Sequence, residues 1–212
     1  MLLPDAETER IRRIYDRRGA TAAAAASRGD ANLRWLCGQA EGDTLEIGIG
    51  QGRTLPFYPP DIHLSAIELS GVALEIAQRR ALQLGIPATL HQGDAAALPY
   101  PDDHFDTVVF CFALCTIPDD RRAVAEAVRV LRPDGRLLLL EHVRSPNLIL
   151  RTLERLLEPI ELRRMGDHLL REPLEHALAE GLEVETLERS WFGVIERLAA
   201  RKPEADELEE AV

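Results

Sequence analysis

The sequence predicts an α/β fold: an open, doubly wound parallel sheet with helices on both faces. Three observations carry this. From Thr44 onward, strand-like and helix-like segments alternate along the chain. Several strand-like segments, such as 137–140, are continuous apolar runs, as expected where helices cover both faces of a parallel sheet. The helical runs stop at glycine or at a Pro-Asp-Gly turn. Such βα units imply right-handed crossovers, and 212 residues that are 46% hydrophobic can bury one sizeable core. The whole chain, 1–212, therefore reads as a single domain.

Residues 1–40 read as an N-terminal helical flank or lid. Pro4 and Asp5 stand where a helix start tolerates them, and Ile11, Ile14 and Tyr15 recur at helical spacing. The alanines at 22–26 have high helix propensity, and Leu33, Leu36 and Cys37 form a buried stripe. Residues 41–145 read as the ligand-binding core, with strands at 44–48, 63–68, 88–92, 107–110 and 136–141. A helix at 72–84 closes on Gly85, and one at 121–131 closes on Pro133-Asp134-Gly135. Residues 146–181 read as a helical insertion interrupted at Pro159, Gly166 and Pro173, at the end of the sheet where substrate specificity is naturally placed. Its leucines (148, 150, 153, 156 and 157) recur at core-like spacing, which predicts packing against the domain. A sixth strand at 182–188 and a final one at 191–201, antiparallel to its neighbour, complete the sheet; 204–212 is an acidic tail.

The formal net charge of -11 argues against a nucleic-acid groove, which needs clustered cations. Arg163-Arg164 and the arginines at 10, 12 and 13 leave room for peripheral membrane contact, although solvated helix faces explain them as well. No segment approaches the roughly 20 apolar residues of a spanning helix, and the N-terminus lacks a signal-peptide order. Three cysteines without metal-ligand spacing predict free thiols, a reducing cytoplasmic setting and no metal.

The chemistry begins at 45–52, where Glu46 precedes three alternating glycines, Gly48, Gly50 and Gly52, after an apolar strand. A dinucleotide fingerprint would need its third glycine where Arg53 stands, and an acid before the glycines suits no pyrophosphate. It suits a ligand with an ammonium group, held by charge-assisted hydrogen bonds. Glu68 ends the second strand, 22 positions after Glu46, where a carboxylate can accept both hydroxyls of a ribose. Asp94 ends the third, with Ala95 beside it, suited to an adenine amine and ring. The ordered series is far more specific than any one member. It disfavours an NAD-dependent oxidoreductase.

On these residues the chain resembles a class I S-adenosylmethionine-dependent methyltransferase. The matching motifs are the glycine run at 45–52, Ala66-Ile67-Glu68-Leu69-Ser70, the adenine loop from Gly93-Asp94-Ala95 to Leu98-Pro99-Tyr100, Phe105-Asp106-Thr107-Val108-Val109, and Val130 to Arg136. They span roughly 40–145; Asp134 stands where the family commonly has glycine. Within the superfamily the chain is most similar to the methyltransferase type 11, quinone-biosynthesis and phospholipid N-methyltransferase-like branch. Through Leu114-Cys115 and Leu140-Glu141-His142-Val143 it also has some similarity to thiol methyltransferases. The resemblance implies a Rossmann-like seven-stranded sheet of order 3-2-1-4-5-7-6, strand 7 antiparallel. It implies S-adenosylmethionine as cofactor, S-adenosylhomocysteine as product, and Tyr15 closing over the cofactor. The implied cofactor contacts are Glu46, Gly48, Gly50, Gly52, Glu68, Leu69, Asp94, Ala95 and Cys111.

The acceptor is expected to be small or lipid-like: a thiol, an amine or phospholipid, or a phenol or quinone precursor. No obligate protein partner is inferred. Methyl transfer needs chiefly alignment, plus a base that removes one proton. His142 and Tyr15 are the catalytic candidates, and Cys115 and His168 the substrate-side ones. Each histidine has an equally simple structural role, bonded to backbone or starting a helix. The alternative function is a non-catalytic S-adenosylmethionine-binding regulatory or accessory protein.

Overall fold

The structure, a computed structural model, describes residues 6–19 and 31–204. The helix-start pair Pro4 and Asp5, the alanines at 22–26 and the acidic tail beyond Glu204 lie outside the described residues.

Seven strands form one sheet: β1 (Asp43–Ile47), β2 (His63–Glu68), β3 (Ala88–Gln92), β4 (Phe105–Cys111), β5 (Leu131–His142), β6 (Glu183–Ser190) and β7 (Ile195–Arg201). Their order is β3-β2-β1-β4-β5-β7-β6, as the resemblance implied. The first five pair in parallel, while β7 runs antiparallel to both β5 and β6. Helices α1 (Ala6–Gly19), α2 (Ala31–Cys37), α3 (Gly71–Leu84), α4 (Asp120–Val130), α5 (Leu148–Arg164) and α6 (Pro173–Ala179) surround it.

Central strands are apolar at consecutive positions because both faces are covered. Val108, Phe110, Leu137 and Leu139 pack in one cluster with Ala123, Ala127 and Ala177 of α4 and α6. Val109, Leu138 and Leu140 face the other way, against Leu33, Leu36 and Cys37 of α2. Ala77 and Ala81 of α3 cover Leu64 and Ala66. Helix α3 begins at Ser70, whose side chain caps Ala73 N–H, and ends at Gly85 with φ 67.

Four expectations are corrected. The turn at 133–135 lies inside β5. Leu131 pairs with Phe105 and Arg136 with Thr107, so residues 132–135 form an irregularity that re-enters the ladder. Asp134, at φ 65, is held by its N–H on Lys202 O (2.8 Å) and its carboxylate on Arg201 (2.9 Å). Pro159 does not interrupt the insertion: α5 runs through it, since one proline removes one intrahelical bond and intact turns flank it. The final strand begins at Ile195, because residues 191–194 make the reversal from β6, with Trp191, Phe192 and Gly193 at φ 52, 58 and 85.

The fourth correction is the direction of α5. None of its residues is buried, and Leu148, Ile149, Leu153, Leu156, Leu157 and Ile160 are all exposed. Polar groups hold the helix in place. Glu154 accepts the Ser145 N–H (3.1 Å), Arg151 donates to Ser145 O (3.0 Å), and Arg10 of α1 donates to Leu162 O (2.7 Å). Asn147 caps its start through Ile149 and Leu150 N–H. Among the described residues no helix is long and apolar enough to cross a membrane.

Candidate active site

The carboxyl ends of β1, β2 and β4 surround a cavity of about 550 Å³, within the roughly 300–1,000 Å³ range of small-molecule sites. It opens where strand order reverses between β1 and β4, the usual ligand position in doubly wound sheets. Glu46, Gly48 and Gly50 line it from β1, Glu68 and Leu69 from β2, Asp94 and Ala95 from the loop after β3, and Cys111 from β4. Ile11 and Tyr15 of α1 close it from above. Helix α1 is tied down by Ser70 Oγ donating to Asp16 Oδ1 at 2.6 Å.

Glu46 is almost fully buried. Its Oε2 accepts the hydroxyls of Thr54 (2.8 Å) and Tyr58 (3.1 Å). Burial pushes its carboxyl up to about 7, against the lowering effect of both hydroxyls. A buried carboxylate on a cavity wall, held by neutral donors alone, is an acceptor for a cationic ligand group. Glu68 is engaged with backbone: Oε2 takes the Gly50 N–H (2.8 Å) and Oε1 the Ser70 N–H (2.9 Å). Those bonds fix the glycine turn to the end of β2 and leave each oxygen a lone pair for a ligand hydroxyl. Asp94 Oδ1 holds the Ala96 N–H at 2.9 Å, shaping the loop after β3.

The crossover from β1 to β2 contains only a short 3-10 helix, Leu55–Phe57. No long helix therefore starts at the glycine turn to receive a pyrophosphate. Gly52 does not line the cavity. A Cβ there would meet Leu55 Cδ1 at 2.6 Å and Ala77 Cα at 3.3 Å, and its φ is +73. Gly52 thus brings the turn against α3, and Gly52→Ala is expected to lower stability by about 2 kcal/mol through strain and overpacking. A urea titration of both proteins would measure this.

Three other candidates also stand off the cavity wall. His142 is exposed at the end of β5 and packs on Phe112, which does line the cavity, with ring centroids 4.9 Å apart. Partial desolvation lowers its pKa. Cys115 is buried, its thiol on Phe112 O (3.6 Å), and burial raises it well above the usual thiol range. His168 serves it from behind, donating its backbone N–H to Cys115 O at 2.7 Å.

Several contributors were not among the sequence candidates. Thr54 and Tyr58, on the connection after the glycine turn, hold Glu46. Arg171 of the insertion donates to the carbonyls of Leu114, Ile117 and Pro118, fixing the loop after β4 that lines the cavity. Glu141 is fully buried, and its Oε1 accepts from Ala113 N (2.7 Å) and Leu114 N (3.0 Å). Its Oε2 has no hydrogen-bond partner, and burial pushes the carboxyl up to about 7. A buried acid at a strand end was the available signal for it, adjacent to His142.

The methyltransferase domain family matches residues 45–139, from within β1 to within β5. This stretch belongs to that family. The chain is 35% identical over 103 residues to the phosphatidylethanolamine N-methyltransferase of Cereibacter sphaeroides, covering 48% of this chain and 51% of that one. It is 35% identical over 85 residues to the ubiquinone/menaquinone biosynthesis C-methyltransferase UbiE of Pseudomonas fluorescens, covering 39% and 33%. The chain thus spans about half the length of the first relative and a third of the second. A solved geranyl diphosphate methyltransferase, with GPP and sinefungin, shares the fold at TM-score 0.72 and 16% identity, covering 93% of this chain and all of that one. The family match is thus confined to residues 45–139, and the sheet around it has the Rossmann-like methyltransferase fold of the solved structure.

Proposed function

We propose that the protein binds S-adenosylmethionine in the cavity above β1, β2 and β4 and transfers its methyl group to a small or amphipathic acceptor. The observation that carries this is the ordered acid set on one wall. Glu46 suits the ammonium of the amino-acid end, Glu68 the ribose hydroxyls and Asp94 the adenine amine. S-adenosylmethionine supplies an already activated methyl sulfonium. The protein's part is to orient, to exclude water and to accept one proton. The apolar side of the cavity, with Ile11, Leu33, Phe112 and Ile117, supports an acceptor with substantial carbon surface. Relatives named for a phosphatidylethanolamine and for a quinone lead us to favour a lipid amine or quinone precursor over a thiol.

The decisive experiment is calorimetric titration with S-adenosylhomocysteine, followed by a tritiated-methyl screen of lipid amines, quinone precursors, phenols and thiols. Micromolar binding and label transfer to one class are expected. Binding without transfer to any acceptor would instead favour the accessory-protein reading, and absence of binding would sink both.

Within this function we assign Tyr15 to the acceptor side of the cavity and His142, one ring behind Phe112, to proton removal at the rim. Its lowered pKa keeps the imidazole neutral at pH 7, as a base requires. His142→Ala is expected to lower kcat about 100-fold while leaving S-adenosylhomocysteine affinity unchanged. An unchanged kcat, read by methyl release, would return His142 to a packing role.

A further inference from the structure

Helix α5 is amphipathic the wrong way round for a packed helix. Leu150, Arg151, Glu154, Glu158, Glu161 and Leu162 are half-buried, so the three acids of the helix lie on its domain side. Leu148, Ile149, Leu153, Leu156, Leu157 and Ile160 lie on the opposite, exposed face, with Ile149 80% and Leu156 70% accessible. A contiguous exposed apolar stripe of this length on a water-facing helix marks an interaction surface.

A second element extends it. Trp191 and Phe192, 76% and 83% accessible, form the reversal between β6 and β7. Both adopt left-handed backbone, φ 52 and 58, which such turns ordinarily assign to Asn or Gly. Local turn preference therefore does not explain two large aromatic side chains there. The reversal is joined to the start of α5 through Ser145, whose hydroxyl donates to Phe192 O (3.1 Å) and whose N–H and C=O are held by Glu154 and Arg151. Ile195 pairs with His142, so the aromatic tip lies at the carboxyl end of the sheet, the end that carries the cavity.

Charge selects the occupant. Arg155, Arg163 and Arg164 are exposed on α5, and among the described residues none has an ion-pair or hydrogen-bond partner. The three acids of the helix are half-buried on the domain side and Glu154 is engaged with Ser145, so the exposed charge beside the apolar stripe is cationic, on a chain of net charge -11. A second copy of the same face would set arginine against arginine. An anionic lipid surface satisfies all three features: acyl chains for the stripe, headgroup charge for the arginines, and an interface for tryptophan. With a Debye length near 10 Å, the local arginines are felt at the surface more than the distant net charge.

We propose that α5 and the Trp191–Phe192 tip dock the protein on anionic bilayers, with the cavity end of the sheet toward the membrane. This deepens the reading of a lipid-like acceptor but does not depend on methyl transfer. The test is flotation of the full chain with extruded vesicles of phosphatidylcholine alone or mixed equally with phosphatidylglycerol. Association with the anionic vesicles is expected, weakened at least tenfold by Trp191→Ser with Phe192→Ser and, separately, by Leu153→Glu with Leu156→Glu. Arg163→Gln with Arg164→Gln should weaken it about tenfold and reduce its salt dependence. All these side chains are exposed; circular dichroism and S-adenosylhomocysteine affinity should match the parent in every variant, which separates failed docking from a failed cofactor site. No association with anionic vesicles, or association that the variants leave unchanged, overturns the proposal. So does light scattering that finds a dimer which the α5 variants convert to monomer.

Discussion

Gly50→Arg is expected to abolish S-adenosylhomocysteine binding, at least about 100-fold or ~2.7 kcal/mol, in a protein that still folds. A Cβ at Gly50 meets nothing within 4 Å, because the position faces the cavity. Its φ of +56 puts the strain of a side chain at roughly 1–2 kcal/mol, which a domain of this size tolerates. The new side chain would extend across the wall shared by Glu46 and Glu68. Its guanidinium would compete there for the carboxylates assigned to the ligand. Gly85→Arg provides the matched control: Gly85 also has positive φ, +67, and open space, but it caps α3 away from the cavity. The two variants should melt at similar temperatures and differ in calorimetric affinity. Micromolar binding to Gly50→Arg would displace the ligand from this wall.

The ligand-free protein is expected to lose stability as pH rises from about 4.5 to about 7. The cause is the pair of buried carboxyls, Glu46 and Glu141, each pushed up to about 7 by burial. In that window the unfolded chain releases these protons while the folded one retains them, so rising pH favours unfolding. A raised carboxyl pKa has this sign, opposite to that of a salt-bridged acid. Each group accounts for on the order of 3 kcal/mol once both states are fully ionised. Glu46→Gln keeps an oxygen for Thr54 and Tyr58, and Glu141→Gln keeps one for Ala113 and Leu114. Each should raise the melting temperature at pH 8 by about 6–12 °C and do little at pH 5.

The same proton would link Glu46 to the ammonium proposed for it. A bound ammonium requires the carboxylate, so S-adenosylhomocysteine affinity should fall by up to about tenfold per unit as pH drops below 7. Glu46→Gln should flatten that dependence and weaken binding at pH 8, although it stabilises the empty protein there. Calorimetry across pH 5.5–8 reads both effects. Parallel profiles for parent and variant would remove Glu46 from the ammonium site.

The cavity wall was legible because its members end strands. Gly48 and Glu68 follow apolar runs directly and Asp94 comes two residues after β3, and a parallel sheet brings successive strand ends to one edge whatever the details of packing. The supporting residues were not legible. Thr54 and Tyr58 reach Glu46 from an irregular connection. Arg171 reaches three carbonyls of a loop more than 50 residues earlier in sequence. Cys115 and His168, the substrate-side candidates, meet through backbone in the structure, behind the lining rather than on it.

Helix α5 marks the boundary between the two kinds of information. The sequence alone determined that most of its leucines share one face, that the sheet is doubly wound, and that an acid precedes the alternating glycines at the end of β1. Those are properties of local periodicity and chain order. Only the tertiary structure decided that the leucine face points outward and that Gly52 serves packing. It alone decided that Glu46 and Glu141 lie buried with no salt bridge among the described residues. Periodicity specifies a face but not its direction, and burial depends on what distant segments place beside it.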